Sequence, residues 1–116
     1  MPELNDGRIR HTVVFTPRHD PGSPGEADLL AAGAALASIP GVEAFEVLRE
    51  VSPKNAYRFG FSMEFADQAA YVAYNEDPRH VAFVQERWIP EVTDFLEIDY
   101  EARADSSRSA ARSPSA

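Results

Sequence analysis

Residues 57–65 read YRFGFSMEF, and in an extended chain Tyr57, Phe59, Phe61, Met63 and Phe65 fall on one side, with Arg58, Gly60, Ser62 and Glu64 on the other. Side chains along a strand alternate faces with period two, so this segment is a β-strand carrying five large apolar groups on one face. Such a face has to be covered. In a chain of 116 residues with no cysteine for disulfide staples, the cover has to be a layer of helices built from the same chain.

The rest of the sequence supplies that layer. Ile9, His11, Val13 and Phe15 alternate with Arg10, Thr12, Val14 and Thr16 and predict a first strand ending at Pro17. The loop PRHDPGSPG follows, in which His19 is expected to be solvated. Ser23 at the cap, Pro24 in the first turn and Glu26 closing a capping box open a helix whose buried stripe is Leu29, Leu30, Gly33, Leu36 and Ala37, stopped by IPGV. Residues 42–50 predict a second strand. Asp67 caps a second helix through Glu76, with Ala70, Tyr71 and Tyr74 toward the sheet, and Asp77-Pro78 breaks it. A third helical piece over about 79–92 presents Val81, Val84 and Trp88 and bends near Pro90, and FLEIDY closes as a strand.

The order strand, helix, strand, strand, helix, short helix, strand is the α+β, ferredoxin-like plan: a four-stranded antiparallel sheet with helices on one face. The other face asks for a partner. The expectation is a homodimer in which two sheets pack face to face as a dimeric α/β barrel.

One domain over 9–101 is expected between a disordered N-terminal segment at 1–8 and a disordered Ser/Ala/Arg tail at 102–116. Arg103, Arg108 and Arg112 against Asp105 leave that tail at +2, so of the net charge of −8 the remainder of the chain carries −10. A surface that acidic disfavours nucleic acid. No apolar run suggests a signal peptide or membrane span, and the absence of cysteine makes cytoplasm the default expectation.

YNEDPRHVAFV, residues 74–84, carries the candidate chemistry. His80 follows the helix break, where a turn can fix its ring at the mouth of the layer between helices and sheet, suited to take a proton near neutral pH. Tyr74 on the preceding helix could donate to a developing oxyanion there. Asp99 breaks the apolar logic of the last strand and is expected to orient His80. His11 shares the face of Val13 and Phe15, and with Phe59, Phe61, Met63 and Trp88 these make the expected substrate pocket. Each residue also has an architectural reading: the histidines bonded to backbone, Tyr74 as packing, Asp99 as strand-end solvation. No metal-ligand spacing, glycine-rich phosphate loop, nucleophile elbow or dinucleotide fingerprint occurs, so no metal and no cofactor are expected.

Together RHTVVF, IPGV, YRFGFSMEF, AYVAYNEDPRHVAFV and the closing IDY resemble the stress-responsive dimeric α/β barrel (Dabb) domain family over about residues 10–100, the DPRH stretch being the most specific element. The resemblance implies a ferredoxin-like subunit that dimerises through its sheets. One plant member is a polyketide cyclase that closes a linear polyketide by an aldol reaction. Its catalytic histidine looks like His80, its tyrosine like Tyr74, its strand-one histidine like His11 and its supporting aspartate like Asp99. The reading this supports is a cofactor-free aldol-type cyclase or proton-transfer enzyme acting on a ketone or polyketide-like substrate, with His80 as general base. The alternatives are a non-catalytic dimeric protein that binds a small apolar ligand and a purely structural dimer. The loop after Pro17 is expected near the pocket entrance.

Overall fold

A computed structural model describes residue 4 and residues 7–103. The expected disordered segment at 1–8 and tail at 102–116 lie largely outside the described residues. The chain forms β1 (Ile9–Pro17), α1 (Pro24–Ala34), β2 (Glu43–Arg49), β3 (Phe59–Phe65), α2 (Gln68–Glu76), α3 (Pro78–Phe83), α4 (Ile89–Glu91) and β4 (Val92–Glu101). All strand pairings are antiparallel, in the order β2-β3-β1-β4. This is the ferredoxin-like plan.

The expectation of a barrel is corrected. The sheet is open, with β2 and β4 as its two edges. Four strands are too few to close on themselves, since a barrel whose interior side chains just fill needs about eight.

Register decides which side chains share a face. Along β1, Ile9, His11, Val13 and Phe15 stand opposite Phe65, Met63, Phe61 and Phe59 of β3, and all but the half-buried Phe59 are buried under the helices. On the other side of β1, His11, Val13 and Phe15 stand opposite Asp99, Glu97 and Phe95 of β4. The last strand therefore sends two carboxylates and one aromatic ring toward the helix layer.

α1 starts as its sequence dictates. The Ser23 hydroxyl accepts from the Glu26 N–H at 3.2 Å, with Pro24 in the first turn. The Glu26 carboxylate accepts from the Gly22 N–H at 2.9 Å and from Arg58 Nη2 at 3.1 Å. Gly33 lets the helix lie directly on β3: a Cβ there would stand 2.3 Å from the Phe61 ring. Asp67 caps α2 by accepting from the Ala70 N–H at 2.8 Å. The break at Asp77-Pro78 restarts the chain as α3, with Asp77 accepting from the Arg79 N–H at 2.9 Å. From α3 the chain runs through a π-helical turn, Val84–Trp88, into α4, so the expected irregularity before Pro90 takes the form of a widened turn. Phe83, not Val81, is the buried apolar residue of α3, and Val81 is exposed.

His19 is not free in solvent as expected. Its Nε2 is 2.7 Å from Glu91 Oε1, its ring lies over Gly25, and Glu91 is also bound by Arg87. The loop is pinned to α4 by this contact and by the Arg18 N–H donating to the Glu91 carbonyl at 2.7 Å. The face of the sheet away from the helices exposes Leu48, Leu96, Ile98 and Tyr100. On the same face, in the row of Tyr100 and Arg10, Glu64 is buried and accepts from Arg10 Nη2 at 3.0 Å and Arg8 Nη2 at 3.1 Å. Among the described residues no helix is long and apolar enough to cross a membrane.

Candidate functional site

Between the sheet and the α3–α4 segment lies a cavity of about 500 Å³. Its floor is Val13, Phe61 and Met63, and its far wall is Phe83, Val84 and Trp88. These are the residues that strand alternation and helical spacing deliver to the inner layer, and they make a space with dispersion contacts on most sides. One end is polar, formed by His11, Tyr74, Asn75, His80 and Glu97.

Four of the six expected pocket residues line the cavity: Val13, Phe61, Met63 and Trp88. Phe15 and Phe59 do not. Phe15 is fully buried beneath the lining, its ring centroid 4.8 Å from those of both Phe61 and Trp88. Phe59 lies at the far end of β3 and borders a separate hollow with Tyr57 and Arg58. The loop after Pro17 also borders that hollow, through Pro21, Gly22 and Ser23, and contributes nothing to the main cavity, so its expected place at the entrance is corrected.

The four candidate polar residues divide into two groups, and the division differs from the expected one. Asp99 does not meet His80. It stands directly opposite His11 across the β1–β4 ladder, and His11 Nδ1 is 2.5 Å from Asp99 Oδ1. Tyr71 completes this group: its hydroxyl donates to Asp99 Oδ2 at 2.7 Å and its oxygen lies 3.0 Å from His11 Nδ1. With a carboxylate that only accepts, the assigned arrangement has both His11 Nδ1–H and Tyr71 O–H pointing at Asp99. Burial, followed by the Asp99 bond and charge, pushes the Tyr71 hydroxyl well above the ordinary phenol range.

His80 and Tyr74 form the second group. Their ring centroids are 4.4 Å apart, and both line the cavity. His80 Nδ1 lies 3.3 Å from the Asn75 carbonyl oxygen. A carbonyl can only accept, so Nδ1 carries the proton and the neutral ring keeps its lone pair on Nε2. Burial lowers the His80 pKa, outweighing the raising effect of the Asn75 bond, and favours that neutral form. Tyr74 is 2% exposed, its hydroxyl has no hydrogen-bond partner among the described residues, and burial together with the Glu97 charge pushes it above the ordinary range. Among the described residues no group of three histidine, aspartate or glutamate side chains could hold a metal ion.

Sequence reasoning passed over Glu97, Tyr71 and Asn75. Period-two spacing from Asp99 already puts Glu97 on the inner face. Helical spacing turns Tyr71, three residues before Tyr74, toward the sheet, but its bond to Asp99 depends on the β1–β4 register.

An open ferredoxin-like sheet with helices on one face, and between them a cavity that is apolar at one end and lined by two imidazoles and a phenol at the other, places the chain among α+β proteins of the ferredoxin-like plan. The chain belongs to the stress-responsive A/B barrel domain (Dabb) family, whose model matches residues 9–102. A Dabb-family protein with a ferredoxin-like fold from Mesorhizobium loti is 59% identical, with 84% of this chain and 98% of that chain covered and a TM-score of 0.81. A protein from Arabidopsis thaliana is 26% identical, covering 81% of this chain and 94% of that chain at a TM-score of 0.70. The hydroxynitrile lyase from Passiflora edulis is 14% identical, with 85% and 96% covered and a TM-score of 0.75, a likeness of fold alone. No curated protein matches the chain.

Proposed function

We propose that this protein binds a small apolar ligand in the helix-side cavity without turning it over, as a stress-associated binding protein. The observation that carries this reading is the partnering of Asp99. Its carboxylate is taken by His11 and Tyr71, so the His80–Asp99 relay expected of a catalytic base is not assembled, while a largely apolar cavity of about 500 Å³ remains. The exposed Leu48, Leu96, Ile98 and Tyr100 support a homodimer through the open sheet face.

The test is titration with a neutral solvatochromic dye such as Nile red, in the wild type and in Val84→Trp, which fills the cavity from its wall. Saturable binding that weakens at least about tenfold in the variant, equivalent to ~1.4 kcal/mol, supports the reading. A wild type that binds no dye refutes it.

A second reading, aldol-type or proton-transfer catalysis similar to that of the plant olivetolic acid cyclase, is favoured by one observation: the neutral His80 ring stands beside the unpartnered Tyr74 hydroxyl at the same cavity. In it, His80 Nε2 removes a proton next to a ketone and Tyr74 donates to the enolate. Turnover of linear polyketones by the wild type and its loss in His80→Ala would establish it, and equal activity in that variant would end it.

A further inference from the structure

The polar end of the cavity holds one carboxylate, Glu97, and no lysine or arginine. Glu97 is solvent-exposed where it lines the cavity and has no ion-pair partner among the described residues, whereas the buried Glu26 and Glu64 and the half-buried Glu91 are each paired with arginine. Its charge bears on both Tyr74 and His80. Two groups lining the cavity with it can also accept hydrogen bonds: the lone pair of His80 Nε2 and the hydroxyl oxygen of Tyr74, which has no hydrogen-bond partner among the described residues. The rest of the wall is rich in aromatic rings, with Phe61, Phe83, Trp88 and Phe95. Hydrogen-bond acceptors, a negative charge with no ion-pair partner and aromatic faces together match a cationic head on an apolar body.

We propose that the cavity selects an amphiphilic amine, with the ammonium among Glu97, His80 Nε2 and Tyr74 Oη and the apolar body between the sheet and α3–α4, and that it rejects the corresponding carboxylate. The inference rests on the ligand-binding reading above and adds the charge of the ligand to it. A carboxylate would meet Glu97 with no cation to offset the repulsion. An alcohol would satisfy one or two of the acceptors but leave Glu97 without a counter-charge.

Trp88 lines the cavity and is the sole tryptophan of the chain, so its fluorescence reports occupancy directly. The experiment titrates the full-length protein and its Glu97→Gln variant with octylamine, octanol and octanoate, which share one tail and differ in the head. The expected result is octylamine tighter than octanol by about tenfold or more, octanoate weakest, and the amine and alcohol brought to within about threefold of each other in Glu97→Gln. Tyr74→Phe is the second variant and weakens octylamine severalfold. Equal binding of amine and alcohol by the wild type overturns the charge selection and leaves the cavity reading standing. An amine preference that survives in Glu97→Gln also overturns it, because the net charge of −8 would then be its source. Failure of all three compounds to bind, together with failure of the neutral dye, overturns both.

Discussion

Replacing Asp99 by alanine probes the group that orders the polar end of the cavity. Asp99 itself is partly exposed, but the donors it serves are not: His11 is 7% exposed and Tyr71 is 9% exposed. Removing the carboxylate strands two buried donors that water reaches poorly, and each unpaired buried donor costs about 1–3 kcal/mol. Part of the loss is recoverable. With Tyr71 Oη 3.0 Å from His11 Nδ1, moving the His11 proton to Nε2 lets Nδ1 accept from the tyrosine. One bond then replaces two, and the expected net loss is about 2 kcal/mol. For a domain of this size that is a fall in Tm of roughly 8–16 °C. The assay is urea unfolding followed by Trp88 fluorescence, on Asp99→Ala, Tyr71→Phe and the double variant. The two substitutions should be non-additive by roughly 0.5 kcal/mol or more, because they remove parts of one network. A stability of Asp99→Ala within about 0.5 kcal/mol of wild type, the range of an ordinary surface substitution, would refute the reasoning.

Two further outcomes follow from the same geometry. Gly33→Ala brings a Cβ to 2.3 Å from the Phe61 ring, and overpacking of about 1–3 kcal/mol should exceed the roughly 1 kcal/mol gained in helix propensity, so urea unfolding should show a net destabilisation. The His80 pKa in the folded state lies below the ordinary value of 6.5, so on acidification the unfolded chain takes up this proton first. Stability should therefore fall as pH drops from about 6.5 toward the lower folded value and then level off, and His80→Gln should remove that part of the slope. Glu64 and Glu91 have folded values below the usual 4.5: burial opposes the Glu64 shift but its Arg10 and Arg8 bonds prevail, and Arg87 holds Glu91 low. The stability they add is lost in a separate, more acidic window, as pH falls through 4.5 and below.

The fold was legible because its signals are local. Phe59, Phe61, Met63 and Phe65 alternate, Ser23 and Asp67 cap helices, and Pro78 restarts one, and each of these acts within a few residues of chain. The two groups of polar residues were not legible, because they depend on register between segments far apart. His11 and Asp99 are 88 positions apart in sequence and become direct neighbours only when β1 and β4 pair in one particular frame. His80 and Asp99 share residue types suited to a relay, but residue type does not fix which imidazole a strand carries past the carboxylate. The period-two spacing of β1 turns the Phe15 side chain inward. Its exclusion from the cavity follows from Phe61 and Trp88 packing over it, which only the assembled layers reveal.

The division of the two imidazoles, one held by Asp99 and one open to the cavity, is read most directly by nitrogen NMR of the histidine rings in the wild type and in Asp99→Asn. The structure predicts that Asp99→Asn shifts the ring nitrogens of His11 and leaves those of His80 in place, with the His80 proton on Nδ1, and that an occupied cavity shifts His80 Nε2. A displacement of the His80 nitrogens by Asp99→Asn, with His11 unmoved, would contradict it.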